Sequence, residues 1–514
     1  MSLKSESSIP TASRVYPLSA TMGISPHTKH FLSTVIVLLA CTIILQMAAE
    51  LCFPMELLGW SQALQPIHRL LLIGLLPALY LTMTKRRPHT AYLVDYACFK
   101  GSPTCRVPMS TFIEHMNLTP FVEGRSIRFM TRVLERSGIG DESNLPPSVS
   151  YIPVYRSLEE ARAEAELVVF SAIDDLFAKT GVTPDTVGIL VVNCSIFAPV
   201  PCISDMIVGR YNLRDDIRAV NLSGMGCSAG VTAVALATRL LQATRPQQHG
   251  AHYALVVSTE TLTSNYYVGK ERPMQLSNVL FRIGGAAVLL STSKEKARFR
   301  LTHLVRTITG AASDAAYSCI FQEEDAEGEL GMNLSKDLPT VAADALKANI
   351  TAMGPLVLPL TEQLRFAVLA VMSSISRKLP INGRRVLRPS VPDFRKAFDH
   401  FCIHTGGPTA IDGVQRVLGL SDQHVEPPRM TLHRFGNTSS SSVWYELAYV
   451  EAKGRMSKAD RIWMIGFGSG FECVSAAWEC IRPAEQTDKA WAECIRRYPV
   501  GAHYRARLAE TIEC

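Results

Sequence analysis

Charge is scarce in this chain. Lys, Arg, Asp and Glu together make up 19% of its 514 residues, below the ~25% usual for a soluble domain. The balance of 52 cations against 46 anions, a net charge of +6, is too even to indicate a nucleic-acid partner. The 13 cysteines include no Cys-x-x-Cys pair, which excludes a zinc ribbon and is poor material for a disulfide framework. A reduced compartment with mostly buried thiols fits better, and one of those thiols can be reactive. No residue-level repeat is visible. A hydrophobic fraction of 47% excludes disorder as the chain's general state.

The apolar residues are not evenly spread. Residues 1–30 are rich in Ser, Thr and Pro and read as disordered. Phe31 to Ala49 is a run of nineteen residues without a formal charge, about enough to cross a ~30 Å hydrocarbon core. A second apolar stretch, Leu70 to Thr84, contains Pro77 and stops at Lys85-Arg86-Arg87. It reads as a tilted span, with a re-entrant or interfacial segment as the alternative. The expectation is a membrane anchor over residues 31–84, with segments at about 31–53 and 68–84. The loop between them has no Lys or Arg until Arg69, while Lys29 precedes the first and basic residues follow the second. The positive-inside rule then puts both ends in the cytosol. Six Asn-x-Ser/Thr sequons, at Asn117, Asn193, Asn221, Asn333, Asn349 and Asn437, would face the wrong side for glycosylation.

Beyond residue 90 the pattern alternates between strand and helix, the grammar of an α/β fold. Residues 158–180 carry apolar residues at helical spacing and stop at Gly181, a natural C-cap. Residues 187–195, VGILVVNCS, form one continuous apolar run and predict a fully buried strand. IRAVNL (217–222) leads through SGMGCSAG into VTAVALATRLLQ, which reads as strand, tight turn, helix. HYALVVSTE (252–260) and GAAVLLST (285–292) are further strands. Residues 307–345 read as surface excursions and loops, and Arg384 to Pro392 as a seam. After the seam, AFDHFCIH (397–404) is a strand before a Gly-Gly turn and a helix. RFGNTSSSS opens another helix, and RIWMIGF (461–467) is a strand. The echo of strand, turn and helix on both sides suggests two related halves, 90–385 and 386–482, with a polar tail at 483–514.

Cys227 stands out for its neighbours. Gly224-Met225-Gly226-Cys227-Ser228-Ala229-Gly230 puts a thiol between a strand and a helix, flanked by small residues that let a substrate approach. A helix N-terminus favours a thiolate, and its free N–H groups can hold an oxyanion. A nucleophilic thiol needs a base and a polar partner. His404 ends a strand before a glycine turn, and Asn437 follows Gly436 as an N-cap. His400 and His433 are auxiliary candidates, with His303 and His424 competing. Gly226 and the Gly466, Gly468 and Gly470 segment are candidates for an oxyanion or substrate-contacting loop.

Four segments resemble a known family: NLSGMGCSAG, FCIHTGG, MTLHRFGNTSSSSVWYELAYVEAKGRM and GFGSGFECVSAAW. They are similar to the motifs of plant-type 3-ketoacyl-CoA synthases, the condensing enzymes of very-long-chain fatty acid elongation. The resemblance spans about residues 90–480. It implies a thiolase-like fold of two similar αβ halves behind an N-terminal membrane anchor. It implies a catalytic triad of Cys227, His404 and Asn437, acyl-CoA and malonyl-CoA as substrates, and no metal or organic cofactor. It further implies a homodimer, association with other elongase-complex enzymes, no nucleic acid, and a multi-pass endoplasmic reticulum protein with a cytosolic catalytic body. A type III polyketide synthase-like condensing enzyme and a catalytically silent scaffold of an elongation complex are the alternatives. One departure is visible: where the family often carries Arg-Thr-His-x-Gly, this chain has Arg306-Thr307-Ile308-Thr309-Gly310.

Overall fold

The apolar runs at 187–193 and 285–291 become strands buried along their whole length. In the computed structural model, residues 91–119, 122–243, 253–366, 369 and 391–501 are described. The start (1–30), both expected membrane segments and most of the seam at Arg384–Pro392 lie outside the described residues. Among the described residues, no helix is long and apolar enough to cross a membrane.

The first half opens with β1 (Tyr92–Cys98), α1 (Met109–Leu118), α2 (Gly124–Arg136) and α3 (Leu158–Thr180). It continues with β2 (Val187–Asn193), α4 (Ile203–Tyr211), β3 (Arg218–Leu222), α5 (Ala229–Ala243) and β4 (Tyr253–Thr259), then α6 (Arg272–Leu280) and β5 (Gly285–Ser291). The second part runs β6 (Phe299–Ile308), α7 (Asp314–Ser318), β7 (Ile320–Glu324), β8 (Leu330–Leu334) and α8 (Leu338–Val357). After 391 come β9 (His400–Ile403), α9 (Pro408–Leu418), α10 (Glu426–Phe435), α11 (Ser442–Ala452), β10 (Arg461–Gly468) and β11 (Glu472–Cys480).

Among the described residues, nine strands form one sheet in the order β3-β2-β4-β5-β1-β6-β11-β10-β9, and its pairing pattern repeats. β1 is antiparallel to β5, β5 antiparallel to β4, and β4 parallel to β2. In the same sense β6 is antiparallel to β11, β11 antiparallel to β10, and β10 parallel to β9. β6 therefore belongs to the C-terminal ladder although it precedes the expected seam in the chain. The junction is narrow: β1 meets β6 only through Tyr92–Arg300 and Leu93–Phe299.

Two helices fill the space between the halves. Every residue of α11 from Ser442 to Val450 is buried, the mark of a helix with core on all sides. Its Val443, Trp444 and Leu447 share one cluster with Val231, Val234 and Ala237 of α5 and with strands of both ladders. α3 covers the outer face of the first ladder, while α8 and α9 cover that of the second. A buried ion network pins the halves together: Arg298 pairs with Asp95 and Glu451, and Tyr96 Oη donates to Glu451 at 2.6 Å. This is the thiolase-like arrangement that the resemblance implied.

The chain departs from the sequence reading in three further places. Residues 307–345 contain α7, the β7–β8 hairpin and the start of α8 rather than loops alone. The hairpin strands IFQEE and LGMNL are short and partly acidic, so no alternation stands out. The strand expected at 397–404 is confined to His400–Ile403, because Phe394–Lys396 closes a 3₁₀ turn first. The stretch after Arg482 is not merely polar, since Ala490, Trp491, Cys494 and Tyr498 enter the central core.

Candidate active site

Cys227 sits in a single 3₁₀ turn, Gly226–Ser228, directly before α5, as the strand–turn–helix pattern suggested. The turn has no room for side chains. Gly226 has φ +68°, and a Cβ there would stand 2.8 Å from the backbone nitrogen of Ser469. A Cβ on Gly468 would overlap Ser228 Oγ and the Met225 carbonyl oxygen. The Gly466, Gly468 segment of β10 therefore packs on the turn that carries Cys227. Gly470 has φ +104° with open space around its Cβ position.

The residues around the thiol include two that the sequence reading missed. Ser439 Oγ lies 3.5 Å from Cys227 Sγ and 2.9 Å from Glu260 Oε2. A hydroxyl has one proton, so the nearer and more strongly accepting carboxylate oxygen takes it. Glu260 is buried at the end of β4, and its Oε1 accepts from the Ser195 and Ile196 N–H groups at 2.8 and 2.9 Å. Burial pushes its carboxyl above the ordinary range. Ser439 occupies φ +54° without being glycine, a conformation costing ~1–3 kcal/mol that persists where surroundings over-determine it. A lone acidic residue closing an apolar strand was a signal for Glu260. Ser439 was hidden inside a run of four serines that reads as an ordinary cap.

That run is specific, serine by serine. Ser440 Oγ donates to Asn193 Oδ1 at 2.5 Å, Ser441 Oγ to the Thr438 carbonyl at 2.8 Å, and Ser442 Oγ lies 3.0 Å from His404 Nδ1. His404 is buried, and its backbone N–H donates to the Ile465 carbonyl at 2.9 Å. Burial pulls its imidazole down to about 4, against a weaker opposing contact with the Ser439 backbone, so it is neutral at physiological pH. Asn437 is pinned on both sides: its N–H donates to Leu280 O at 3.1 Å and its carbonyl accepts from Arg282 N at 2.9 Å. Its Oδ1 accepts from Ser439 N at 2.9 Å, which leaves the Nδ2 hydrogens for a guest. Ser439 thus touches Cys227, His404 and Asn437 alike, and the three expected residues converge on it.

The thiol differs from its expected state. A helix N-terminus was expected to favour the thiolate. Instead Cys227 is pushed up to about 12, first by burial and then by the Glu260 carboxylate, which outweigh the Ser439 hydroxyl and its own N–H. Thiol and imidazole are therefore both neutral.

His400 and His433 stand elsewhere. His400 Nε2 is 2.9 Å from Asp460 Oδ2 at the opposite end of β9 from His404, about 13 Å along a strand at ~3.3 Å per residue. His433 Nδ1 is 3.2 Å from Tyr498 Oη. Ile308 is exposed at the end of β6 and pairs with Glu472. Glu472 is a further residue that the sequence reading passed over: it accepts from Ser228 Oγ at 2.5 Å and from Arg306 Nε at 2.7 Å.

Beside Cys227 opens a cavity of about 310 Å³. Leu145, Leu262, Tyr266 and Phe281 line one side, and Ile320, Phe321, Met332 and Leu334 another. The amide side chains on its wall are bonded within the protein. Asn278 bonds the Tyr267 backbone on both amide atoms, and Asn265 bonds Ile196 O and Gln322. Such a wall favours an apolar guest.

Comparisons with known proteins agree with this architecture. The family described as "FAE1/Type III polyketide synthase-like protein" matches residues 83–375, and "3-Oxoacyl-[acyl-carrier-protein (ACP)] synthase III C terminal" matches residues 395–480. The chain is 53% identical to 3-ketoacyl-CoA synthase 5 of Arabidopsis thaliana, over 80% of this chain and 82% of that one. It is 52% identical to 3-ketoacyl-CoA synthase 6 of the same plant, with the same coverage. A type III pentaketide synthase structure from Neurospora crassa superposes with a TM-score of 0.57 at 17% identity, covering 76% of this chain and 99% of the other. That likeness shows the fold. Taken together with a thiol turn built on glycines and backed by Ser439, these matches place the chain in the 3-ketoacyl-CoA synthase family of condensing acyltransferases.

Proposed function

We propose that the chain condenses a long-chain acyl-CoA with malonyl-CoA, releasing CO₂ and giving a 3-ketoacyl-CoA two carbons longer, in very-long-chain fatty acid elongation. The observation that carries this reading is the convergence of Cys227, His404 and Asn437 on Ser439, with Cys227 and Ser439 opening on an apolar cavity.

Cys227 is the nucleophile. As Sγ attacks the acyl thioester carbon, its proton passes to neutral His404, a base matched to a thiol held protonated. The C–S bond to CoA breaks, and the departing CoA thiolate takes a proton from solvent, so the Cys227 proton stays on Nε2 of His404. Malonyl-CoA then loses its carboxylate as CO₂, leaving an enolate. Nδ2–H of Asn437 and Nε2–H of His404 donate to the enolate oxygen, each such donor being worth ~2.7–4 kcal/mol. The enolate carbon attacks the acyl carbonyl, the new C–C bond forms, and Cys227 leaves as a thiolate that takes its proton back from His404 Nε2. The Cys227 N–H, with the Gly466–Gly470 segment, serves the acylation oxyanion. The exposed face of α2 carries Arg125, Arg128, Arg132 and Arg136. It packs on α6, whose Ser277 and Asn278 line the cavity. That stripe offers charge to the phosphates of CoA.

The body works on the cytosolic side of the endoplasmic reticulum membrane, held by the two N-terminal apolar segments. A homodimer is supported by β3, one of the two edge strands of the sheet, with Arg218, Ala219 and Asn221 exposed, an edge that another strand can cover. Microsomes carrying the chain should elongate acyl-CoA primers with labelled malonyl-CoA, and Cys227→Ala microsomes should not. Equal product from both would remove Cys227 from the reaction. Glycan attachment at Asn221, which is exposed, would overturn the topology.

A further inference from the structure

The β7–β8 hairpin stands apart from the main sheet and yet builds a large part of the cavity wall. Ile320 pairs with Leu334 and Gln322 with Met332. In an antiparallel pair such partners share a face. All four line the cavity, together with Phe321.

The hairpin is fastened along its length. At its tip Tyr267 Oη donates to Asp325 Oδ2 at 2.6 Å, and Arg156 Nη1 to Glu329 Oε2 at 3.0 Å. At its middle Gln322 Nε2 donates to Asn265 Oδ1 at 2.8 Å. Asn265 also bonds the carbonyl of Ile196, whose N–H is held by Glu260. The hairpin is therefore tied to the same residues that back the nucleophile. At its outer strand Gly331 seats directly on Met274 of α6, where a Cβ would come within 2.5 Å of Met274 Sδ. At its base Ser335 N donates to the carbonyl of buried Cys319 at 2.9 Å. A wall held at tip, middle and base keeps its distance from Cys227, so the length available to a chain on Cys227 is fixed by the side chains that the wall presents.

From this geometry we propose that the β7–β8 hairpin is the ruler of the acyl chain, with Met332 and Phe321 the side chains that set the longest primer accepted. The inference rests on the condensing reading above. Both are large side chains that shorten to a methyl group without touching the latches, and neither makes a side-chain hydrogen bond that anchors the hairpin. Ile320 is less suited to the role, because it packs at the hairpin base against the cluster of Cys319 and α8.

The test uses the full-length chain in microsomes, with saturated acyl-CoA primers graded in steps of two carbons and labelled malonyl-CoA. For each variant kcat/KM is compared between primers within that variant, so that a change in overall activity cancels. Met332→Ala and Phe321→Ala should move the ratio toward the primer two carbons longer by tenfold or more, since a hydrophobic pocket discriminates one methylene by ~10–200-fold. Met332→Leu, which conserves volume, should keep the wild-type profile. Peptide mass spectrometry of the acyl group loaded on Cys227 gives the same ranking independently of turnover. An active Met332→Ala and Phe321→Ala pair with a profile superimposed on wild type would overturn the ruler alone. No condensation by the wild type with any primer would overturn the condensing reading, and the ruler with it.

Discussion

Replacing Glu260 with Gln should make Cys227 more reactive, not less. The carboxylate sits behind Ser439, whose hydroxyl is 2.9 Å from Glu260 Oε2 and 3.5 Å from Cys227 Sγ. Sulfur and carboxylate oxygen are therefore at most about 6 Å apart, and at an effective dielectric of ~20 two charges at that limit interact by about 3 kcal/mol, roughly two pKa units. A neighbouring negative charge disfavours the thiolate, so removing it lowers the pKa of Cys227 from its value of about 12. The hydroxyl acts in the same direction. Gln must turn its Oε1 to the Ser195 and Ile196 N–H groups, so its Nε2 donates to Ser439 and frees the Ser439 proton for sulfur. Two units more thiolate is about 100-fold. Nucleophilicity falls with pKa at a Brønsted slope of ~0.4–0.5, so the net gain in rate is about tenfold. The assay is iodoacetamide alkylation of Cys227 at pH 8–10, followed on its own peptide by mass spectrometry. An alkylation profile for folded Glu260→Gln that stays in place, or moves to higher pH, would refute this electrostatic account.

Ser439→Ala should act oppositely, because the hydroxyl that donates to Glu260 while Cys227 is a thiol can turn to sulfur once it ionises and so lowers the Cys227 pKa, a hydrogen bond to a charged group being worth ~1.5–3 kcal/mol. With the same Brønsted offset, a fall of about 3–10-fold in acylation rate is expected, read by single-turnover release of CoA. Gly468→Ala should displace the nucleophile turn through overlap with Ser228 Oγ and Met225 O. Overpacking of this kind costs ~1–3 kcal/mol, read as a lower thermal midpoint together with lost turnover. Glu164 is buried, and its carboxyl is raised from 4.5 to about 7 while accepting from Leu262 N and Thr263 N. A raised folded value means that its contribution is whole below about pH 4.5 and is lost as pH rises through 7, by on the order of 3 kcal/mol. Glu164→Gln should flatten the difference in denaturant midpoint between pH 5 and pH 8, and an unchanged difference would remove Glu164 as its source.

What was legible in the sequence was mostly local. The helix at Leu158–Thr180 appears with those bounds, because Ser157 accepts from Glu160 N and Gly181 takes φ 63°, both written in consecutive residues. Strands β2 to β5 were equally open, since an apolar run flanked by polar turns needs no partner to be recognised. The thiol turn could be read too, because small residues on both sides of Cys227 have few other uses. The hairpin could not be read: its strands are held by Met274, Tyr267 and Arg156 from distant parts of the chain, not by their own alternation. The state of Cys227 was misjudged for the same reason. A helix terminus is visible in sequence, whereas burial and Glu260, 33 positions further along the chain, are not. Ser439 acts through its fold position alone, and nothing in four consecutive serines distinguishes it.

The central claim is that Cys227 carries the acyl chain between two half-reactions. The direct measurement is to incubate the full-length chain with a long-chain acyl-CoA in the absence of malonyl-CoA and to locate the acyl group by peptide mass spectrometry. The account predicts one acyl thioester, on Cys227, that disappears on adding malonyl-CoA as 3-ketoacyl-CoA two carbons longer is formed. An enzyme that makes this product while Cys227 stays unmodified, or with the acyl group on another residue, would contradict it.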